Sequence, residues 1–228
     1  MDTNRTYPIS VIIPARNAET TITKAIRSAL NAGAAEVVVI DDASTDRTFA
    51  RALECCGGGR VRLIQSGRVR VGVCVARNMA IEVAHENLIV PLDADDTLMD
   101  DSLEYMHSAY TPGTLVYGGW QSNGRDFEAP PIGMLNRKNV AYATWLFEKS
   151  AWRKVDGYNP RYEIGGEDWH FMVALVHAGI VPVRLQGAVY HRSVNVGTRT
   201  DSAIRNVYYI KTHLAEDFPA FFEVPERV

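Results

Sequence analysis

The chain has 228 residues, of which 46% are apolar, and a formal charge of −3 from 24 basic and 27 acidic side chains. This length and apolar content suffice for one large core, and no Pro/Ser-rich linker divides the chain, so we expect a single domain over residues 1–228. The near-balanced charge gives no general reason to expect nucleic acid as a partner. It still leaves a local basic group, formed by Arg60, Arg62, Arg68 and Arg70.

Cysteine usage and hydropathy bear on the location of the protein. Cys55, Cys56 and Cys74 lack metal-ligand spacing, and an odd count with an adjacent pair is unlike a secreted disulfide framework. No run reaches the roughly 18 to 20 apolar residues that span a bilayer. We therefore expect a cytoplasmic protein, at most peripheral to a membrane and without an integral membrane segment. The sequence leaves open a homo-oligomer.

The first half of the chain alternates apolar runs with amphipathic segments. Residues 9–13 form a β-branched run typical of a buried strand, and apolar residues over 22–30 recur at helical spacing, with Gly33 as the expected C-terminal cap. Further strands are predicted at 36–40, 61–64 and 88–92, and further helices after a cap at Ser44 and over 73–84. Such alternation predicts the α/β class, with a mostly parallel central sheet and helices on both faces.

The second half of the chain is less regular. We predict a strand at 114–120, a Gly- and Pro-rich loop at 121–133 and a helix near 146–155. A second helix opens at Gly165-Gly166 and ends at Gly179. Two short strands follow at 181–185 and 188–190, and residues 202–228 are expected to form a helix and a loosely packed tail.

Polar residues follow three of the predicted strands directly. They occupy positions 15–17, 41–42 and 93–96, each at the C-terminal end of an apolar run. Ligands of open α/β sheets bind outside the carboxyl ends of the strands. The sequence therefore predicts that the three clusters form one site at that edge of the sheet.

The last of these clusters places three carboxylates within four residues: Asp93, Asp95 and Asp96. Their mutual repulsion raises their pKa values unless a cation compensates, and oxygen ligands suit Mg²⁺ or Mn²⁺. The alternative is a solvated acidic turn that caps a helix beginning near Asp100 or Asp101.

Five ordered segments make the sequence resemble family 2 glycosyltransferases. They are SVIIPARN at 10–17, VVIDDASTD at 38–46, ARN at 76–78, LDADD at 92–96 and GGED at 165–168. The resemblance covers roughly residues 8–192. It implies one domain of the GT-A fold, with a Rossmann-like nucleotide-sugar half at about 8–100, an acceptor half at about 101–200 and a C-terminal helix and tail at 201–228.

The activity implied by the resemblance is that of a metal-dependent, inverting glycosyltransferase, most often a hexosyltransferase. A sugar would move from a nucleotide-diphosphate sugar, with UDP the commonest carrier, to the hydroxyl of an unknown acceptor. That acceptor could be a saccharide, a lipid-linked sugar, a protein or a modified base. The cofactor would be Mn²⁺ or Mg²⁺.

The resemblance also assigns the nucleotide pocket. The loop after the first strand would cradle base and ribose through Pro14, Ala15, Arg16 and Asn17, and Asp42 would accept a hydrogen bond from the base. Arg16 could instead be an ordinary surface charge. Asp42 could instead be a turn residue before the helix capped by Ser44.

Arg77 and the acidic cluster are assigned to the donor in the same way. Arg77 is expected near the base or the first carboxylate cluster, the alternative being an arginine on a helix surface. Asp93 and Ala94 would contact the nucleotide sugar, with Asp93 nearer the ribose. Asp95 would coordinate the ion, and Asp96 could orient either carboxylate.

Asp168 matches the catalytic base of the family, with Glu167 beside it. The alternative is structural, because two acidic residues in a first helical turn stabilise the helix dipole without any chemistry. The preceding Gly165-Gly166 favours function, since glycines let a ligand approach the backbone closely.

Several further side chains have open assignments. His191 resembles a metal ligand of some GT-A enzymes, which would favour Mn²⁺, or it is structural. Arg192 and Arg199 could hold the diphosphate or be surface charges. Trp145 and Trp169 could form a platform for a sugar or belong to the core.

Other function classes are weaker matches. No Gly-x-Gly-x-x-Gly follows the first strand, which disfavours a dinucleotide-dependent oxidoreductase. Two alternatives remain: a catalytically silent GT-A module that binds a nucleotide sugar, and a glycosyltransferase acting on hydroxylated bases of modified DNA.

Overall fold

The apolar runs form a nine-stranded mixed sheet in the computed structural model, which describes residues 5–140, 142–193 and 207–222. The first five strands are β1 (Tyr7–Ala15), β2 (Ala34–Asp41), β3 (Val61–Gln65), β4 (Leu88–Pro91) and β5 (Thr97–Leu98). The remaining four are β6 (Thr114–Ser122), β7 (Arg125–Phe127), β8 (Trp145–Glu148) and β9 (Val181–His191).

Helices connect these strands and cover the sheet. They are α1 (Ile22–Asn31), α2 (Thr48–Leu53), α3 (Val73–Val83), α4 (Ser102–Ala109), α5 (Lys149–Lys154), α6 (Glu167–His177) and α7 (Val207–Asp217). Short 3₁₀ helices lie at Cys56–Gly58, Ile132–Met134 and Pro160–Tyr162. Within the described part of the chain, no helix has both the length and the apolar character to cross a membrane.

Strand order follows from the connections. The order β3-β2-β1-β4 is parallel throughout, as helical crossovers require. β8 then runs antiparallel to both β4 and β6, while β9 is parallel to β6 and β5 pairs antiparallel with β9. The α/β class with helices on both faces is confirmed, and the sheet is parallel in its first half and mixed in its second.

The core lies on both faces of the sheet. On β1, Val11 and Ile13 pack with the apolar face of α1, whereas Ile12 packs on the opposite face with residues of α3 and α6. Side chains of a strand alternate between faces, so a strand that is covered on both sides is apolar throughout. This is why the strands of the first half can be recognised as continuous apolar runs.

The predicted helix at 146–155 is wrong in its first part, which forms β8. Trp145 and Phe147 pack on one face of the sheet and Leu146 on the other, and all three side chains are fully buried. A strand buried on both faces has the same uninterrupted apolar pattern as a buried helix, so periodicity does not separate the two. Only Lys149–Lys154 is helical.

Two smaller predictions also change. The strands predicted at 181–185 and 188–190 are one strand, β9, whose register with β6 shifts near Gly187, where φ is +82°. The Ser44 cap is wrong, because α2 begins at Thr48, whose N–H donates to Asp46 Oδ1 at 2.9 Å. Gly33, with φ +93° just after α1, fits the expected helix end.

Glu36 is a buried carboxylate that joins three parts of the parallel half. Its side chain accepts hydrogen bonds from Ser10 Oγ at 2.6 Å, His85 N–H at 2.8 Å and Arg62 Nη1 at 3.0 Å. Burial raises the pKa of Glu36, but these hydrogen bonds outweigh burial and lower it overall.

We predict that Glu36→Gln destabilises the protein by about 1–3 kcal/mol at pH 7, because a buried ionised acceptor loses its charge-assisted bonds. The folded pKa is below the unfolded value, so this stability is present above about pH 4.3 and is lost as the pH falls through the folded pKa. Urea unfolding at several pH values should therefore show the two proteins converging in acid. Glu54→Gln, in an exposed pair with Arg51, is the control and should change little at any pH.

Candidate active site

The loops after β1, β2 and β3 meet at the carboxyl edge of the sheet. Ala15 is paired with Asp41, and the Asp42 N–H donates to Ala15 O at 2.8 Å. Ser66, just after β3, donates its N–H to Asp41 O at 3.0 Å. The predicted convergence is therefore present for positions 15–17 and 41–42, and Leu92, just before the third cluster, donates its N–H to Ile12 O of β1 at 2.9 Å.

Arg16 and Asn17 hold the first two loops together. Arg16 Nη1 donates to Asp42 O at 2.7 Å and Ala43 O at 3.2 Å. Asn17 has φ +50°, and its Oδ1 accepts from the Thr45 N–H at 2.9 Å. Both side chains are exposed at the edge, next to the half-buried Pro14. Contact of Pro14, Ala15, Arg16 and Asn17 with a nucleotide stays a prediction.

The Asp42 carboxylate is buried and binds the loop between β3 and α3. Its Oδ1 accepts from the Val71 N–H at 2.7 Å and Ser66 Oγ at 3.0 Å, and its Oδ2 accepts from the Gly72 N–H at 3.0 Å. Asp42 is thus more than a turn residue of its own loop. That it also reads a base stays a prediction.

Arg77 lies at the centre of the site and is fully buried. Nη2 donates to Asp93 Oδ1 at 2.7 Å, and Nη1 donates to Asp168 Oδ1 at 2.6 Å and to Glu167 Oε1 at 3.2 Å. The guanidinium also lies 5.1 Å from the centre of the Tyr158 ring. The alternative of an arginine on a helix surface is wrong, and Arg77 lies beside the carboxylate cluster.

Burial lowers the pKa of Arg77, but the charges of Asp168 and Asp93 outweigh burial and raise it well above its ordinary value. The side chain therefore remains a cation at any working pH. Because it is enclosed by protein, Arg77 contributes to the site through the carboxylates that it holds.

Asp93, Asp95 and Asp96 form a compact group of possible metal ligands. One oxygen of each carboxylate lies within 4.8 Å of the others. Burial and the neighbouring Asp93 raise the pKa of Asp96 to about 8, although its Oδ1 accepts from the Ser193 N–H at 2.7 Å. An all-oxygen set with this repulsion fits a hard divalent cation. The helix-cap alternative fits less well, since β5 separates the group from α4.

His191 lies apart from this group. It is exposed at the end of β9, is paired with Thr97 and Gln121, and is not among the clustered ligands of the described residues. It lines a cavity of about 340 Å³ between β9 and the start of α4. Arg192 lies with its guanidinium carbon 4.8 Å from the centre of the Tyr142 ring. Arg199 lies outside the described residues.

Asp168 and Glu167 occupy the first turn of α6, after an N-cap glycine, Gly166, with φ +87°. Asp168 is half-buried; besides its bond to Arg77, it accepts from the Ala143 N–H at 3.4 Å through Oδ2. Glu167 is buried. Stabilising the helix dipole requires no such side-chain contacts. The bond to Arg77 holds one carboxylate oxygen of Asp168 in place.

Three further residues are placed in the core. Trp145 is fully buried, and Trp169 is 5% exposed and donates Nε1–H to Leu135 O at 2.7 Å. The aromatic platform is therefore wrong for both, and the alternative of core packing is confirmed. Ala94 also packs in the core, on the α1 face. Its predicted contact with a nucleotide sugar stays a prediction.

Comparison with known proteins decides the family. The family model described as glycosyl transferase family 2 matches residues 10–154. The chain belongs to this family. It is also 39% identical over 146 residues to the succinoglycan biosynthesis protein ExoU of Rhizobium meliloti (strain 1021), a match that covers 63% of this chain and 38% of ExoU. The chain thus spans well under half the length of that family 2 relative.

Solved structures show the same fold. S. aureus TarS 1-349 in complex with UDP-GlcNAc has a TM-score of 0.74 at 21% identity, covering 92% of this chain and 66% of that one. The mannosyltransferase PcManGT from Pyrobaculum calidifontis, in complex with GDP-Man and Mn²⁺, has a TM-score of 0.75 at 20% identity, covering 96% and 66%. The GT-A fold of this family 2 chain is confirmed.

Two residues of the site escaped the sequence analysis: Tyr158, which packs on Arg77, and Glu163, which binds the start of α3. Tyr158 lies in a turn without a recognisable signature, and Glu163 is about 90 positions from its partners. Neither contact has a local sequence signal.

We predict that Arg77→Met lowers the free energy of unfolding by about 3–5 kcal/mol, because it leaves Asp93, Glu167 and Asp168 without their buried cation. Urea denaturation monitored by circular dichroism measures the change. Arg51→Met, in an exposed pair with Glu54, should stay within about 0.5 kcal/mol of the wild type. Equal effects of the two substitutions would contradict the central role of Arg77.

Proposed function

We propose that the chain is a metal-dependent, inverting glycosyltransferase that moves a sugar from a nucleotide-diphosphate sugar, with UDP as the carrier, to an acceptor hydroxyl. One observation carries the proposal: the buried Arg77 binds both Asp93, a member of the carboxylate cluster, and Asp168, on α6. The clustered carboxylates that we propose for the metal and the carboxylate that we propose as general base are thereby bound by the two terminal nitrogens of one guanidinium, and this closeness suits a transfer between two bound substrates.

The donor is proposed to bind at the carboxyl edge of β1 and β2. The loop residues Pro14, Ala15, Arg16 and Asn17 and the buried Asp42 form the part of the site that the family similarity assigns to the base and ribose. TarS in complex with UDP-GlcNAc and PcManGT in complex with GDP-Man support a nucleotide sugar as donor. Of the two nucleotide carriers in these complexes, UDP and GDP, we propose UDP for this chain.

The metal is proposed to be Mn²⁺ or Mg²⁺, held by Asp95 with Asp93 and Asp96. The three clustered carboxylates suit either ion, and the Mn²⁺ in the PcManGT complex supports the former. When bound, the ion supplies charge neutralisation for the departing nucleoside diphosphate. His191 would have to approach from the end of β9 to become a further ligand.

Asp168 is proposed as the general base. It would accept the proton of the acceptor hydroxyl as that oxygen attacks the anomeric carbon opposite the leaving diphosphate, which inverts the configuration. Its Oδ1 is held by Arg77 and its Oδ2 faces the Ala143 N–H, so the carboxylate has a fixed orientation. Glu167 shares the same guanidinium and supports that orientation.

Incubation with Mn²⁺ and a panel of UDP-, GDP-, TDP- and CDP-sugars tests the proposal. We expect one nucleotide sugar to raise the unfolding temperature in a metal-dependent manner and to be hydrolysed slowly to free sugar and nucleoside diphosphate. Binding without any turnover, with or without candidate acceptors, would instead support the catalytically silent module. Absence of both would contradict a nucleotide-sugar site.

We predict that Asp95→Ala abolishes the metal-dependent part of the thermal shift, because the oxygen-only group loses one of its three carboxylates. Differential scanning fluorimetry with and without Mn²⁺ measures it. Asp100→Ala removes a nearby exposed carboxylate outside the group and should retain the shift. Loss of the shift in both variants would indicate a diffuse charge effect.

We predict that Asp168→Asn lowers turnover by about 10² to 10⁴, the usual contribution of a positioned general base, and leaves the donor dissociation constant nearly unchanged. The amide oxygen can still accept from Arg77, so the local fold should survive. Nucleoside diphosphate release and isothermal titration calorimetry separate the two quantities. A variant with full turnover would exclude Asp168 as the base.

A further inference from the structure

Four consecutive backbone N–H groups at the start of α3 all donate to carboxylates. Those of Val71 and Gly72 donate to Asp42, at 2.7 and 3.0 Å. Those of Val73 and Cys74 donate to Glu163, at 3.1 and 3.3 Å. The first N–H groups of a helix lack intrahelical partners, and successive amides of this kind attract anions.

The two carboxylates come from different parts of the chain. Asp42 follows β2, at the proposed donor pocket, whereas Glu163 lies between the 3₁₀ helix Pro160–Tyr162 and α6. Arg70 lies near both, with Nη2 2.8 Å from Glu163 Oε1 and Nε 4.0 Å from Asp42 Oδ2. The start of α3 is therefore a joint between the donor side and the segment that leads into α6.

Gly72 gives this joint its close packing. It has φ +89°, and a Cβ at this position would lie 2.6 Å from the Glu163 carboxylate. Only a glycine both adopts this backbone conformation without strain and leaves the space for the carboxylate. The joint thus depends on a matched pair, a glycine at the start of α3 and an acidic side chain opposite it.

The position of Glu163 relates the joint to Asp168. Two glycines with positive φ, Gly165 at +126° and Gly166 at +87°, separate Glu163 from the first turn of α6. A double glycine leaves the backbone with little intrinsic stiffness, so the preceding segment can add an anchor beside the direct bonds of Glu167 and Asp168 to Arg77. Glu163 is the last residue before these glycines whose side chain binds α3.

We propose that Glu163 is a positioning residue, which anchors the start of α6 to α3 and so keeps Asp168 in place relative to the donor pocket. The proposal rests on the proposed function, because Asp168 is the base only in that reaction. Glu163 acts through backbone contacts and needs no contact with a substrate. The bonds of Asp42 to Val71 and Gly72 do not involve Glu163.

The kinetic test compares Glu163→Ala with Glu163→Gln, using Mn²⁺ and the nucleotide sugar that the wild type hydrolyses. We expect Glu163→Ala to lower kcat about tenfold, a part of what a positioned base contributes, while KM for the donor stays within about twofold. Glu163→Gln keeps one acceptor oxygen and should recover most of kcat. Glu104→Ala removes an exposed carboxylate that pairs with Arg5 and lies outside the joint, and it should change kcat less than about threefold.

Hydrogen exchange tests the anchor itself and does not depend on turnover. We expect the amides of His170, Phe171 and Met172, the first with helical partners in α6, to exchange about tenfold faster in Glu163→Ala. The matched control is Glu104→Ala, which removes a carboxylate that pairs with Arg5 at 2.9 Å on the surface. Its exchange in α6 should equal that of the wild type.

The outcomes are distinct. Unchanged exchange in α6 overturns the anchor, and faster exchange with unchanged kcat overturns its role in catalysis. A donor KM that rises as much as kcat falls would mean that Glu163 serves donor binding instead, which also overturns the proposal. If the wild type hydrolyses no donor, the proposed function fails, and hydrogen exchange still decides whether Glu163 anchors α6. If the alanine variant does not fold, Glu163→Asp takes its place in both measurements, because its shorter side chain no longer reaches the N–H groups of Val73 and Cys74.

Discussion

A buried guanidinium needs anionic partners, and this need organises the candidate active site. Arg77 is fully enclosed, and an arginine side chain does not give up its proton inside a protein. Leaving its charge unpaired would cost several kcal/mol, so the fold has to bring carboxylates to it. Those carboxylates are Asp93, 16 positions away, and Glu167 and Asp168, which are 90 and 91 positions away. The ion pairs that stabilise the charge of Arg77 in the core therefore also join the end of β4 to the start of α6.

The two halves of the sheet contribute differently to this site. The parallel strands β1, β2, β3 and β4 have their carboxyl ends at one edge, and the loops after the first three are bonded to one another through Arg16, Asn17 and Asp42. The mixed half contributes α6 and the turn before it, which reach the site through side chains. The proposed donor side is thus built from adjacent backbone, whereas the position of the proposed base, Asp168, depends on a few long-range polar contacts.

The sequence predicted those parts of the molecule that have a local pattern. Buried strands such as β1 are apolar throughout, and the carboxylates that follow β4 stand out because three occur within four residues. β8 was assigned as a helix because a four-residue strand covered on both faces has no alternation. The bonds of Asp42 to Val71 and Gly72, and those of Glu163 to Val73 and Cys74, join residues about 30 and 90 positions apart. Such pairings depend on tertiary structure and have no signature in either segment alone.

The N-cap glycine of α6, Gly166, has one more neighbour. A Cβ at Gly166 would lie 2.7 Å from Ile210 Cγ2, so the space beside this peptide is filled by a side chain of α7. The side chains at positions 166 and 210 therefore compete for the same space. A larger side chain at one position leaves less room for the side chain at the other. A combinatorial library that varied α7 would at the same time vary the fit of the peptide two residues before Asp168. Selection from such a library would favour residues at position 210 that preserve this fit, whatever property was sought.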